Sequence, residues 1–129
     1  MTISSSASFR DPENAAFNHE GTWYRIAAPA SAQAMRALRS SDLYASLIAE
    51  GSLVTFDEVD AEAARRVLQA YVNAAGRQVL DGSGVFAVET IALVTYPWEW
   101  PNSLLESAAL LTLDLRRRLL AIGLDLKDA

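Results

Sequence analysis

A chain of 129 residues and 14.0 kDa has the length of one ordinary domain, and with 51% hydrophobic and 21% charged residues it can bury a core without disulfides or metal. It has no cysteine and a single histidine, His19, which excludes disulfide frameworks, thiol nucleophiles, thiolate zinc sites and His-rich metal centres. Sixteen acidic against eleven basic residues give a formal charge of −5, and the only dense cationic run is Arg116-Arg117-Arg118, so nucleic-acid binding is not expected.

Residues 1–14 are Ser-rich and then carry Asp11, Pro12 and Asn14, a composition that predicts a flexible N-terminal arm. Residues 15–129 read as a single domain. Ala15–Asn18 and Thr22–Ala27 are short β-favouring runs around the loop His19-Glu20-Gly21, which predicts a hairpin. Ser31 and Ser41 are the expected caps of two helices, the first with Met35 and Leu38 on its inner face, the second with Leu43, Leu47 and Ile48 and stopped by Gly51. Leu53–Phe56 is a short apolar run, followed by Asp57, Glu58, Asp60 and Glu62, an acidic cluster suited to the positive end of a helix. Asp60 is its expected cap, the apolar spacing of Ala64, Val67, Leu68, Tyr71, Val72 and Ala75 its inner face, and Gly76 its left-handed end.

Gln78–Leu80, the turn Asp81-Gly82-Ser83-Gly84, and Val85–Tyr96 then predict a strand, a tight turn and a long buried strand, interrupted only at Glu89 and Thr90. A final long helix is expected from Ser103 with Glu106 as a capping box, an inner stripe of Leu104, Ala108, Leu111, Leu115, Leu119 and Ile122, and Gly123 as its closing residue. The fold class is therefore α+β, a small and mostly antiparallel sheet packed against three or four helices. The N-terminus lacks a charged leader, and no apolar run approaches the roughly 18 residues needed to span a bilayer. The expected location is cytoplasmic, without membrane contact.

Few residues carry a chemical signature. Val79-Leu80-Asp81-Gly82-Ser83-Gly84 has the glycines of a cofactor-binding turn, but a strand follows where a helix N-terminus is needed, so a plain turn is expected. His19 sits alone at a hairpin tip, no Gly-x-Ser-x-Gly occurs, the acidic cluster suits a solvated helix entry, and the three arginines spread over three helix faces. No catalytic, cofactor-binding or metal-binding residue is assigned. Tyr96-Pro97-Trp98-Glu99-Trp100-Pro101 is different, since two prolines stiffen a segment rich in aromatic area. Tyr96, Trp98, Glu99 and Trp100 are the candidate interaction surface, with a lid over one end of the core as the alternative. If the segment is extended, both indoles face one side and Glu99 the other, and at least one ring overhangs the core.

Gly21-Thr22-Trp23-Tyr24-Arg25, Asp42-Leu43-Tyr44 with Gly51, Tyr96–Pro101 followed by Leu104–Leu115, and Gly123–Ala129 together resemble the N-terminal region of bacterial class I SAM-dependent methyltransferases, some of them nodulation-related. The likeness covers most of residues 9–129 and is weakest over 60–80. It implies a chain cut from a longer protein whose methyltransferase part lies downstream, so that SAM would belong to that downstream domain and no cofactor residue to this chain. The ending Leu126-Lys127-Asp128-Ala129 is also similar to the entry of a kinase-type catalytic loop, with Asp128 as its Asp. No Gly-rich phosphate loop accompanies it, and Lys127 is misplaced for gripping phosphates. The first expectation is a non-catalytic N-terminal accessory domain that places substrate or makes interdomain contacts. The alternatives are a degenerate kinase-like lobe binding a nucleotide or phosphorylated ligand, and a free-standing interaction module. Oligomeric state is left open.

Overall fold

A computed structural model describes residue 11 and residues 13–127. Strands β1 (Ala15–His19), β2 (Thr22–Ala27), β3 (Phe56–Glu58) and β4 (Gly84–Val88) form one antiparallel sheet in the order β1-β2-β4-β3. The helices are α1 (Pro29–Arg39), α2 (Asp42–Ala49), α3 (Ala61–Ala75) and α4 (Asn102–Leu120). This is the α+β class expected, with a long C-terminal helix of 19 residues.

The predicted hairpin forms, with Glu20 and Gly21 both at positive φ (51° and 84°) between the closing pair His19 and Thr22. Two left-handed residues in a row match the twist of paired strands, and Gly21 takes one of them without a steric cost.

The sheet is covered on both faces. On one, Ala15, Phe17, Ile26 and Val85 pack with Val67 of α3; on the other, Ala27, Phe56 and Phe86 pack with Ala32 of α1 and Tyr44 of α2. In β4 this puts apolar residues on both sides of one strand, which is why Val85-Phe86-Ala87-Val88 does not alternate with polar residues. Gly84 lies opposite Ala27, and a Cβ there would stand 2.8 Å from the Phe86 ring and 2.9 Å from the Ala32 methyl. The missing side chain is what lets α1 approach the sheet.

Edge strand β3 is held from two sides. The Tyr44 hydroxyl accepts from the Phe56 N–H (3.1 Å) and donates to its carbonyl (3.3 Å), which satisfies groups that an edge leaves open. Arg36 and Arg39 of α1 reach Glu58 (2.8 Å from Nε) and Asp57 (2.8 Å). Asp57 and Glu58 are therefore strand residues paired with arginine and not part of a helix entry. Asp60 alone plays the expected cap, its Oδ1 accepting from the Ala63 N–H at 2.8 Å, and Gly76 closes α3 at φ 63°.

Other expectations are corrected. Helix α1 starts at Pro29, whose fixed φ and absent N–H suit a first turn, so Ser31 lies inside it; Ser41 does cap α2, accepting from the Tyr44 N–H. Residues 78–80 form no strand. β4 stops at Val88, where its partner on β3 is Phe56, the first residue of that strand, and its partner on β2 is Trp23, next to the hairpin loop's closing residue Thr22. At the start of α4 the capping box is not made, since Pro101 takes the cap position and its carbonyl accepts from Leu104 and Leu105. In the predicted stripe Leu119 is buried and Ala108 and Leu115 are half-buried, but Leu104, Leu111 and Ile122 are exposed. The one buried residue of α4 lies near its C-terminal end. There Arg118 grips Glu50, just past α2, through both terminal nitrogens (2.7 and 3.0 Å).

Leu119→Ala should cost about 2 to 5 kcal/mol in denaturant melts, as buried leucines do, whereas Leu111→Ala should cost about 1 kcal/mol or less, as surface changes do. Equal losses would mean that the whole stripe is core. Gly84→Ala should cost about 1 to 3 kcal/mol through overpacking; an unchanged midpoint would show that α1 can retreat freely.

Candidate interaction surface

Past Val88 the backbone leaves the sheet. Glu89 makes the departure sharp: its N–H donates to the Thr55 carbonyl (2.9 Å), and its carboxylate accepts from the Thr55 N–H (3.1 Å) and hydroxyl (2.9 Å). Those donors, the backbone N–H first, hold the Glu89 carboxyl below its ordinary value. The interruption at Glu89-Thr90 is thus the end of the strand. The apolar residues after it, Ile91, Leu93 and Val94, are exposed, Leu93 by 77%.

The aromatic segment is not extended. Pro97 opens a single 3₁₀ turn over Pro97–Glu99; the Glu99 N–H donates to the Tyr96 carbonyl (2.8 Å) while the Glu99 carboxylate accepts from the Tyr96 N–H (3.0 Å). This turn changes which rings meet. Tyr96 and Trp98 stack at 4.7 Å between centroids and 2° between planes, with Trp98 80% and Tyr96 49% exposed. Trp100 is half-buried, and its indole N–H donates to the Thr95 hydroxyl (2.8 Å). So the extended backbone on which both indoles were expected to share one side is not formed, and Trp98 is the ring that overhangs. Glu99 is a turn-former, its carboxylate directed at backbone.

Leu104, Leu105 and Leu111 of α4 add further exposed apolar area, each 40% exposed or more. An exposed apolar area of this kind marks an interaction site more often than plain surface. Sequence reasoning missed this extent because it assigned Ile91–Val94 to a strand and Leu111 to the core. The polar break at Glu89-Thr90 was the available signal.

The remaining candidates have other neighbours. His19 stacks beside Phe17 at 6.0 Å and borders an open depression with Arg65, Arg66 and Gln69 of α3. Arg116, Arg117 and Arg118 each hold a carboxylate, of Asp125, Asp114 and Glu50 in turn, and these partners hold all three acids below their ordinary values. The Asp81-Gly82 turn leads from a loop into β4, and Gly82, at φ 83°, lies beside the Pro29 ring at the start of α1. Among the described residues no group of His, Asp or Glu side chains is placed to hold a metal ion, and no helix is long and apolar enough to cross a membrane.

Asp128, the kinase-like loop candidate, lies outside the described residues, as does most of the predicted arm. The residues next to both are joined. Asn14 is buried, its amide oxygen accepting from the Ala28 N–H (3.1 Å) and its amide nitrogen donating to Asp11 (2.9 Å), while Lys127 reaches the same Asp11 carboxylate at 3.2 Å. A chain of polar contacts therefore ties the end of the described residues to their beginning. No known family, curated protein or solved structure matches this chain.

The hydrogen bond from Asn14, then those from the Glu13 N–H and Lys127, bring the Asp11 carboxyl from 3.8 to about 2. A carboxyl more acidic in the folded than in the unfolded state stabilises fully above its unfolded value and loses that effect as pH falls through the folded one. Asp11→Asn should therefore be less stable than the parent at neutral pH, and in denaturant melts the gap should close as pH falls from about 4 toward about 2. A gap that is constant across that range would show that the Asp11 charge does not contribute.

Proposed function

We propose that this chain is a non-catalytic accessory domain of a methyltransferase-type protein, and that its role is interdomain contact. The observation that carries the proposal is the Tyr96–Trp98 stack, standing 80% exposed at its outer ring on a turn fixed by Pro97 and Glu99. Rigid aromatic area is the usual anchor of an interface, because it buries much surface while losing little side-chain freedom. Leu93 and Val94 before it and Leu104 and Leu111 after it extend the same apolar character.

The chemistry of the chain favours contact over catalysis. Its acidic residues on β3 and near the end of α4 are matched to arginines, and its one histidine stands at the hairpin on the sheet's outer strand. Cytoplasmic location and a bacterial methyltransferase setting belong to this reading through the resemblance of residues 9–129. SAM would be held by the downstream domain, with the exposed surface seating that domain or helping to place its substrate.

The test mixes the chain with the separately produced downstream region of the same reading frame. Isothermal titration should give a complex, and Trp98→Ala should weaken it by about tenfold or more, as an interface anchor does, with the melting temperature unchanged. Trp100→Ala should chiefly lower stability. SAM titrated into the chain alone should give no heat. No complex, or a Trp98→Ala complex of unchanged affinity, would contradict the proposal, and micromolar SAM affinity would make this chain the cofactor-binding part.

A further inference from the structure

The face of α4 turned away from the domain is not covered by the reading above. Leu119 is buried and Leu115 and Arg118 are half-buried on the near face, so at 100° per residue the opposite face carries Glu106, Leu110, Leu113, Arg117 and Leu120. These residues follow one another at steps of four, three, four and three, the spacing of a two-helix seam. The three leucines are 60%, 64% and 52% exposed, among the most open apolar side chains of the helix. Their flanks are charged, acidic toward the N-terminus and basic toward the C-terminus.

We propose that two copies of this chain pair through α4 as an antiparallel helix pair, with the twofold axis crossing between Leu111 and Thr112. In that register Leu110 meets the partner's Leu113 and the reverse, giving two apolar layers at the centre. Glu106 meets the partner's Arg117 on each side, and Ser103, a small residue, lies opposite the partner's Leu120. A parallel pair would instead set Glu106 against Glu106 and Arg117 against Arg117, so charge selects the antiparallel direction. Arg117 is available for this. Its contact with Asp114 (2.8 Å) is a surface pair three residues away on the same helix, with the Arg117 side chain 74% exposed, and such pairs are worth little.

Nineteen residues of helix span roughly 28 Å. Three leucines per copy along that length bury less than the roughly 800 Å² per partner of a standard interface, so the pair should be weak, at micromolar concentration. It uses the side of α4 opposite Leu104 and Leu111, and it stands or falls without the accessory-domain reading.

Sedimentation velocity on the chain over a range of concentrations should show a monomer passing to a dimer in the micromolar range. Leu113→Glu, at a site already open to water, should abolish the dimer while leaving the helical circular dichroism unchanged. Glu106→Arg and Arg117→Glu should each weaken pairing, and the two together should restore it. Since the chain has no cysteine, Glu106→Cys and Arg117→Cys proteins give a direct reading of direction. Mixed, they should form a disulfide between the two variants, and each alone should form little. A monomer at all concentrations, a dimer that survives Leu113→Glu, or disulfides formed within each single variant would overturn the proposal.

Discussion

Val85 and Phe86 are neighbours on β4, point to opposite faces of the sheet, and are each 1% exposed. A strand buried on both sides demands cover on both sides, and the rest of the domain is arranged to supply it. Helix α3 covers the Val85 face, and α1 with α2 cover the Phe86 face. The close approach of α1 then requires Gly84 and Ala27 to be small where they face each other, and it brings Arg36 and Arg39 within reach of the carboxylates on β3. The outer strands follow from the inner pair: β1 extends β2 through a two-residue loop, and β3 is held against β4 by Tyr44 at its backbone.

What this arrangement does not need is the first half of α4. The two cores close among residues 15–88, and it is in the last turns of α4 that Leu119 is buried and Arg118 holds Glu50. The preceding turns have apolar side chains facing several directions, a pattern that ordinarily belongs to a helix surrounded by protein. Together with the Tyr96–Trp98 stack they make a second level of organisation, an outward-facing element carried by a self-sufficient sheet and three helices. The accessory-domain and helix-pairing proposals assign different sides of that element.

Legibility in the sequence followed the range of the physics involved. The hairpin, the Ser41 and Asp60 caps and the Gly76 end depend on residues a few positions apart, and each was readable. The end of β4 at Val88 was not, because its partner strands β2 and β3 begin at Thr22 and Phe56, and neither is near in sequence. The same limit explains Asp57 and Glu58, whose arginine partners come from a helix about 20 residues earlier. At the candidate surface, the residue types pointed to Tyr96, Trp98, Glu99 and Trp100, but their geometry turned on one local bond. Glu99 closing back on the Tyr96 N–H converts an extended segment into a turn, and with it decides which indole overhangs. The exposed flank of α4 could not be separated from its buried stripe by periodicity, since leucines occur on both.

The central claim is that the sheet with α1–α3 is one cooperative unit and that residues 90–111, past the Glu89–Thr55 contact, are held to it weakly. Native-state hydrogen exchange, residue by residue, measures this most directly, because local openings exchange at lower free energy than global unfolding. Amides of β2, β4 and α3 should exchange only through global unfolding, while those of 90–111 should exchange through smaller openings that are insensitive to denaturant. Equal exchange free energies for Leu110, Leu111 and the β4 amides would contradict it, placing the whole of α4 inside the cooperative core.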